Sequence, residues 1–294
     1  MRKQTTRRIG TVLFAVALLS LAITASASAK LTGLFKQFEQ CPYTNTEVKK
    51  CLYSPTEGGE VVLGNKAVPI VNTAILQGGT GKPVEGVSKF YAAANGITLS
   101  KAPQPIPGGL LGIVPPEKSS ALVKALSKFF FENALTGVNS TLELAKTAGD
   151  IMVSESHLGE EEGIALEMPV KVHLENPFLG KNCFIGSSTS PVTFKLTAGT
   201  TAPPLPNKAI KGFGGELELF EEGSILQLKN AKLVDNAWGA PSPSGCGGII
   251  SFLVNPIISA QLGTITAGHN TAILKNTINV ATAFAVKTNN AENP

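Results

Sequence analysis

The sequence predicts a mainly β protein, an antiparallel β-sandwich or partly closed barrel of roughly ten strands with one main α-helix over about 116–136. Three observations carry this expectation. Apolar and polar residues alternate in several runs, most clearly in IALEMPVKVHLE at 164–175, and a period of two belongs to a strand with one buried face. Glycine and proline, 30 and 19 of the 294 residues, break those runs at turn-like intervals. One stretch, 116–136, spaces its apolar residues by three and four.

The N-terminus carries an export pattern. Arg2, Lys3, Arg7 and Arg8 precede an uncharged run that starts at Ile9 and closes on Ala27-Ser28-Ala29. That order predicts a signal peptide over 1–29, cleavage near Ala29, and a secreted or cell-surface product. The run is long enough to span a bilayer, so a retained anchor is the alternative. Residues 30–294 are expected to form a single β-rich domain. The whole chain has 25 Lys+Arg against 21 Asp+Glu, and four of those bases lie in the first eight residues. The remainder holds 21 of each sign and no arginine, since all three arginines are at positions 2, 7 and 8. A neutral chain without arginine lacks the usual means of gripping phosphate backbones, which argues against nucleic-acid partners.

Four cysteines, Cys41, Cys51, Cys183 and Cys246, are an even set in an exported chain and predict disulfides. Three pairings are possible. A local Cys41–Cys51 clip with a long-range Cys183–Cys246 staple is the favoured one. A zinc site is disfavoured, because there is no CxxC pair and the histidines are scattered.

In chain order, EVVLG (60–64) and AVPIVNTAILQ (67–77) read as two strands of a hairpin. A Gly/Pro-rich region, 78–118, follows, with one strand expected at 97–101. Its GGTGKP lacks the spacing of a phosphate loop, and Pro83 stands where a hydroxyl should follow the lysine. In the helix, Pro116 suits the first turn, Gly137 suits the stop, and Leu122, Val123, Leu126, Phe129 and Phe130 form its apolar face. The expected role is to cap an open end of the β core, with membrane-surface or partner binding as the alternative. Strands are expected at 138–145 and 151–156, and Gly159–Gly163 reads as an acidic turn. After the 164–175 strand comes a bend with Cys183, then a second alternating run through Val192, Phe194, Leu196 and Ala198. GELELF (215–220) and 224–238 form a further hairpin. GIISFLV (248–254) reads as an apolar strand, Asn255-Pro256 as the start of a short helical turn, and even positions from Ala272 through Phe284 to Val286 as the last strand.

Catalytic chemistry has little support. Three histidines, His157, His173 and His269, and two aspartates, Asp150 and Asp235, are the available acid–base groups besides glutamates such as Glu167, Glu216 and Glu218. No Gly-x-Ser-x-Gly elbow and no His-Glu-x-x-His helix occurs. Trp238 is the only tryptophan and Tyr43, Tyr53 and Tyr91 the only tyrosines, a thin platform for sugar stacking. His173 is expected on the wet face of its strand. No catalytic, metal or cofactor-binding residue is therefore assigned, and no cofactor is expected.

The segments NPFLGKNCFIGSSTSPVTFKLTAGTT (176–201), FEQCPYTN and NTAILKNTINV resemble a group of uncharacterised exported proteins of high-GC Gram-positive bacteria. The resemblance implies export and one shared domain, and it brings no activity, ligand or catalytic residue. Three functions from different classes fit the sequence. The first is a non-catalytic structural or interaction protein of the cell envelope or exterior, binding envelope components. The second is a carrier holding a hydrophobic small molecule inside the β domain, which would require an internal cavity. The third is a hydrolase with an unrecognised site, which would require the histidines and carboxylates to converge.

Overall fold

A computed structural model of the chain describes residues 30–131 and 135–292. The expected signal peptide, 1–29, lies outside the described residues. The protein is mainly β, all antiparallel. Its strands are β1 (Lys50–Leu63), β2 (Lys66–Pro69), β3 (Ala74–Thr80), β4 (Ser88–Ala92), β5 (Gln104–Pro105), β6 (Asn139–Leu144) and β7 (Met152–Val153), followed by β8 (Leu166–Glu175), β9 (Phe184–Ile185), β10 (Val192–Leu196), β11 (Glu216–Phe220), β12 (Ile225–Asp235), β13 (Pro243–Ser244) and β14 (Asn270–Thr282). Four α-helices accompany them: α1 (Ala121–Phe131), α2 (Glu155–Glu160), α3 (Ser251–Leu262) and α4 (Ala283–Glu292).

One sheet runs in the order β11-β12-β14-β1-β3-β4-β7-β8-β6-β5, with β9 and β10 added on β8, β2 on β1 and β13 on β9. Its two halves face each other like a sandwich, and apolar side chains from both meet in the interior. The fold-over happens at β4. Its C-terminal end, Phe90–Ala92, pairs with β3, while Ser88 and Lys89 pair with β7. Gly78 permits the bend: its φ is +152°, and a Cβ there would lie 2.4 Å from the Tyr91 carbonyl oxygen and 2.6 Å from the Phe90 ring. At the far side, isolated bridges Thr197↔Val234 and Phe213↔Lys232 tie the halves without a continuous ladder. The sheet is therefore not closed into a barrel.

Several expectations need correction. Short pairings such as β5, β7, β9 and β13, two residues each, carry no periodicity, so the strand number exceeds the expected ten. Residues 97–101 hold only the bridge Leu76↔Leu99, and the strand in that region is β4. The β1–β2 turn is Gly64-Asn65, with Leu63 opposite Lys66. Residues 151–156 are a two-residue strand running into α2, whose start is capped by Ser154 Oγ accepting from the His157 N–H. GIISFLV is a 3-10 turn continuing into α3, because an apolar run without polar alternation does not distinguish strand from helix. Asn255 does not cap that helix; its Oδ1 accepts from the Cys246 N–H at 3.1 Å. The last strand stops at Thr282, and Phe284 and Val286 belong to α4. The main helix is shorter than expected and begins after Pro116. It does not cap the core: every side chain from Ala121 to Leu126 is exposed.

The buried apolar residues form two clusters. The smaller gathers Leu31, Phe35, Phe38, Val48, Ile225 and Val286 around the Cys41–Cys51 disulfide. The larger fills the space between the two halves and includes the Cys183–Cys246 disulfide. Two disulfides are compatible with an extracytoplasmic protein.

Candidate functional site

The larger cluster is hollow. A cavity of about 480 Å³ lies between the two halves of the sheet. The alternation of β8 builds one wall, since Leu166, Met168, Val172 and Leu174 all point into it. Leu63, Leu76, Leu233 and Leu274 of the opposite half form the other wall, and Phe194 joins from β10. Helix α3 lies along its edge with Val254, Ile258 and Leu262 inward, a spacing of four that puts one face on the cavity.

That helix is fastened at both ends. The Cys183–Cys246 bridge and the Cys246–Asn255 hydrogen bond hold its N-terminal half to the β8–β9 bend. At its C-terminal end, the Asn65 N–H donates to the Leu262 carbonyl at 2.7 Å, and Gln261 Nε2 donates to the Leu110 carbonyl at 2.9 Å. The Gly64-Asn65 turn can approach so closely because Gly64 lacks a Cβ, which would lie 2.1 Å from the Leu262 carbonyl oxygen.

Several polar residues in the wall have protein partners. Gln104 Oε1 accepts from the Val71 and Asn72 N–H groups, and its Nε2 donates to the Asn72 and Ala102 carbonyls. Thr56 Oγ1 donates to Asn276 Oδ1 at 2.6 Å, and Ser100 Oγ accepts from the Ile75 N–H at 2.8 Å. Trp238 is different. It lines the cavity, packs edge-on to Phe194 with ring centroids 5.0 Å apart, and is 6% exposed. Its Nε1 and Asn236 Oδ1 are the buried side-chain polar atoms without a hydrogen-bond partner among the described residues. The Trp238 backbone is fixed by buried Asn270, whose Nδ2 donates to the carbonyls of Trp238, Ile265 and Thr266. The indole nitrogen is itself covered by protein and does not open into the chamber, and a chamber with so apolar a wall can hold an apolar molecule.

The mouth lies beside α3 and the 3-10 turn Gly109–Leu111. Leu111, Phe178, Ile250 and Ile257 line the cavity and are also exposed, so the apolar interior is continuous with apolar surface. Lys66 stands at this rim, its Nζ 2.4 Å from where a Cβ on Gly112 would be.

The residues that sequence reading raises for chemistry lie elsewhere. His173 is on the outer face of β8, and its ring stacks on Phe184 at 4.4 Å. It is not simply wet and alone: Nε2 is 3.1 Å from the Lys181 carbonyl, and Nδ1 is 3.8 Å from Glu143 and 3.7 Å from Glu175. Glu143 also meets Lys101 at 3.0 Å and Lys171 at 3.3 Å. Burial by itself would raise the Glu143 carboxyl, but the hydrogen bonds and charges of Lys101 and Lys171 outweigh it and hold the group below the usual carboxylate range. This is an ion-pair network on an outer sheet face. The nearest hydroxyl, Thr141 Oγ1, donates to Glu175 at 2.8 Å rather than to the histidine.

The other candidates do not join it. His157 Nδ1 is 3.0 Å from the Ile164 carbonyl, and the His269 N–H closes a turn onto the Thr266 carbonyl. Asp150 completes a capping box with Thr147, Glu218 pairs with Lys229, and Glu216 lies on the same outer hairpin. Asp235 is buried, and burial raises its carboxyl although it accepts N–H bonds from Lys195 and Ala237. Its role is to join β10 to β12. No group of three His, Cys, Asp or Glu side chains arranged for a metal occurs among the described residues.

No protein-family model, curated protein or solved structure matches this chain. The cavity has no motif to announce it. The only sequence signals are the inward residues of the alternating runs, which do not distinguish a filled interior from a hollow one.

Proposed function

We propose that this chain is a secreted or cell-surface binding protein that carries one hydrophobic molecule between the halves of its folded sheet. The observation that carries the reading is the 480 Å³ cavity with an almost wholly aliphatic wall. Water gains little in such a chamber, because it needs two to four polar partners. An apolar cavity of about 150 Å³ takes a benzene-sized molecule. By that scale the chamber suits on the order of 20 non-hydrogen atoms, the size of one long acyl chain or a fused-ring hydrocarbon.

Trp238 also supplies the test, as the only tryptophan in the chain and part of the wall. Protein stripped of lipid is titrated with a fluorescent polyene fatty acid while energy transfer from Trp238 is followed. The expected result is saturation at one probe per chain, with markedly weaker affinity in Val172→Phe, whose ring takes up part of the chamber. Transfer that rises without saturation, or is the same in the variant, overturns the reading.

A further inference from the structure

The cavity mouth opens among helices whose outer faces are apolar, and the geometry points to a docking surface for an anionic lipid bilayer, from which the ligand enters; the inference rests on the carrier reading above. Helix α3 is apolar on both sides. Val254, Ile258 and Leu262 face the cavity, while Phe252, Leu253 and Ile257 face solvent, with Phe252 71% exposed. No charged residue occurs in its twelve positions. A helix apolar all round is ordinarily covered on all sides. Next to it in sequence, Ile249 is 98% exposed. Across the 3-10 turn at the mouth, Leu111, Ile113 and Val114 continue the exposed apolar surface toward α1.

Helix α1 has the pattern of an interfacial helix. At 100° per residue, Leu122, Val123 and Leu126 fall on one face, and Lys124 and Lys128 fall on the opposite one. Leu122 is 68% exposed. Lys118, Lys124 and Lys128 outnumber Glu117 and Glu132, the acidic residues that flank this stretch. Lysines with long apolar stems can lie along a bilayer surface and reach up to phosphate headgroups. The sign of this charge is local, because the chain beyond residue 29 is otherwise balanced. Lys66 adds a further cation at the rim. With 11 and 12 residues, α1 and α3 are roughly 16–18 Å long, too short to cross a hydrocarbon core of about 30 Å. They suit a position in the plane of the interface.

The bilayer is favoured over a protein partner because it accounts for three things together. The apolar surface runs into the cavity at Leu111, Ile250 and Ile257. The charge beside it is positive. An apolar molecule suited to such a chamber partitions into membranes, so a mouth pressed to the membrane shortens its path.

Vesicle flotation tests the inference, using the full mature chain with phosphatidylglycerol vesicles and with phosphatidylcholine vesicles. Transfer of the polyene from each vesicle type to Trp238 is measured in parallel. Floating with the anionic vesicles is expected, at least tenfold weaker in Leu122→Asp/Leu126→Asp and weaker in Lys124→Glu/Lys128→Glu. Both variants should still bind polyene delivered from solution at one per chain. They change only exposed residues, and thermal melting checks that they fold. Should the first fail to fold, the charge-reversal variant and the phosphatidylcholine comparison still decide. No flotation of the wild type, or transfer at equal rates from both vesicle types and in both variants, overturns the docking surface. So does a wild-type dimer that α1 substitution disrupts without vesicle binding, because the face then joins two copies. Loss of solution binding in the wild type instead overturns the carrier reading and leaves flotation to be judged separately.

Discussion

The two apolar clusters of this protein are built from the same kinds of residue and differ in what fills them. The smaller, between the N-terminal 3-10 segment, β1 and α4, is solid: Phe38 and Val286 are almost wholly buried against Phe35, Val48 and the Cys41–Cys51 bridge. The larger has two sheet halves, a disulfide and more buried residues, yet keeps 480 Å³ open. The difference lies in how far rings and cystine reach. Phe35, Phe38 and a cystine dominate the small cluster, whereas Phe90, Phe194, Trp238 and a cystine are spread through a much larger set of mainly aliphatic side chains, which leave the space between the facing halves open. Protein interiors normally pack as densely as organic crystals, so an open space of this size calls for an occupant or a structural framework that maintains it. Here the framework is visible: the Cys183–Cys246 staple, the Asn270 hydrogen bonds and the clasped ends of α3 hold the walls independently of what is inside.

That contrast can be broken by substitution. Phe38→Ala removes a large side chain from the solid cluster and should cost about 3–5 kcal/mol in chemical denaturation; a cost below about 1 kcal/mol would mean that this cluster, too, is loosely filled. Replacing Cys183 and Cys246 by serine releases a loop of 63 residues and should cost ~4 kcal/mol, against ~3 kcal/mol for the shorter Cys41–Cys51 loop. The larger loss should be accompanied by weaker ligand binding, because α3 loses its anchor. Val172→Phe should behave oppositely to an insertion into a packed core. Over-packing usually costs about 1–3 kcal/mol, but here the added ring has room, and a change under about 1 kcal/mol in urea denaturation is expected together with weaker binding.

The smallest effects come through pH and have opposite signs. Glu143 titrates below its ordinary 4.5 in the folded chain, so its contribution is present above about pH 4.5 and is lost as pH falls through the folded value. Asp235 titrates above its ordinary 3.8. The folded chain holds that proton where the unfolded chain has released it, so stability declines as pH rises from about 3.8 through the raised folded value. Glu143→Gln should flatten the first slope and leave the second. Urea midpoints measured across the acid range would show this, and equal slopes in the variant and wild type would contradict it.

The walls of the chamber are legible in the alternating runs. Leu166, Met168, Val172 and Leu174 of β8 line the chamber while Val170 on the same face is fully buried, as its period requires, and Val192, Phe194 and Leu196 are buried on β10. Where alternation fails, so does the prediction. Residues 248–254 are apolar at every position, and such a run suits a strand or a helix equally. At Phe284 and Val286 the even-numbered pattern continues by coincidence past the end of β14, and the former is exposed on α4 while the latter is fully buried. Local pattern makes the outer face of β8 wet, whereas His173 is half-covered by Phe184 and two glutamates; cross-strand neighbours decide that, and they depend on register. The chamber itself is legible in the sequence only as one of three possibilities. Which side chains fail to meet across a fold-over is set by residues over 100 positions apart that come to line one space, such as Met168 and Leu63.

Whether the chamber takes up one apolar molecule can be measured directly by native mass spectrometry of residues 30–294 after exposure to a mixed lipid extract. The predicted spectrum shows discrete adducts of one apolar molecule per chain, reduced in Val172→Phe at the same lipid concentration. A wild-type chain that keeps only its bare mass, or a variant that acquires the same adducts to the same extent, would contradict the carrier reading.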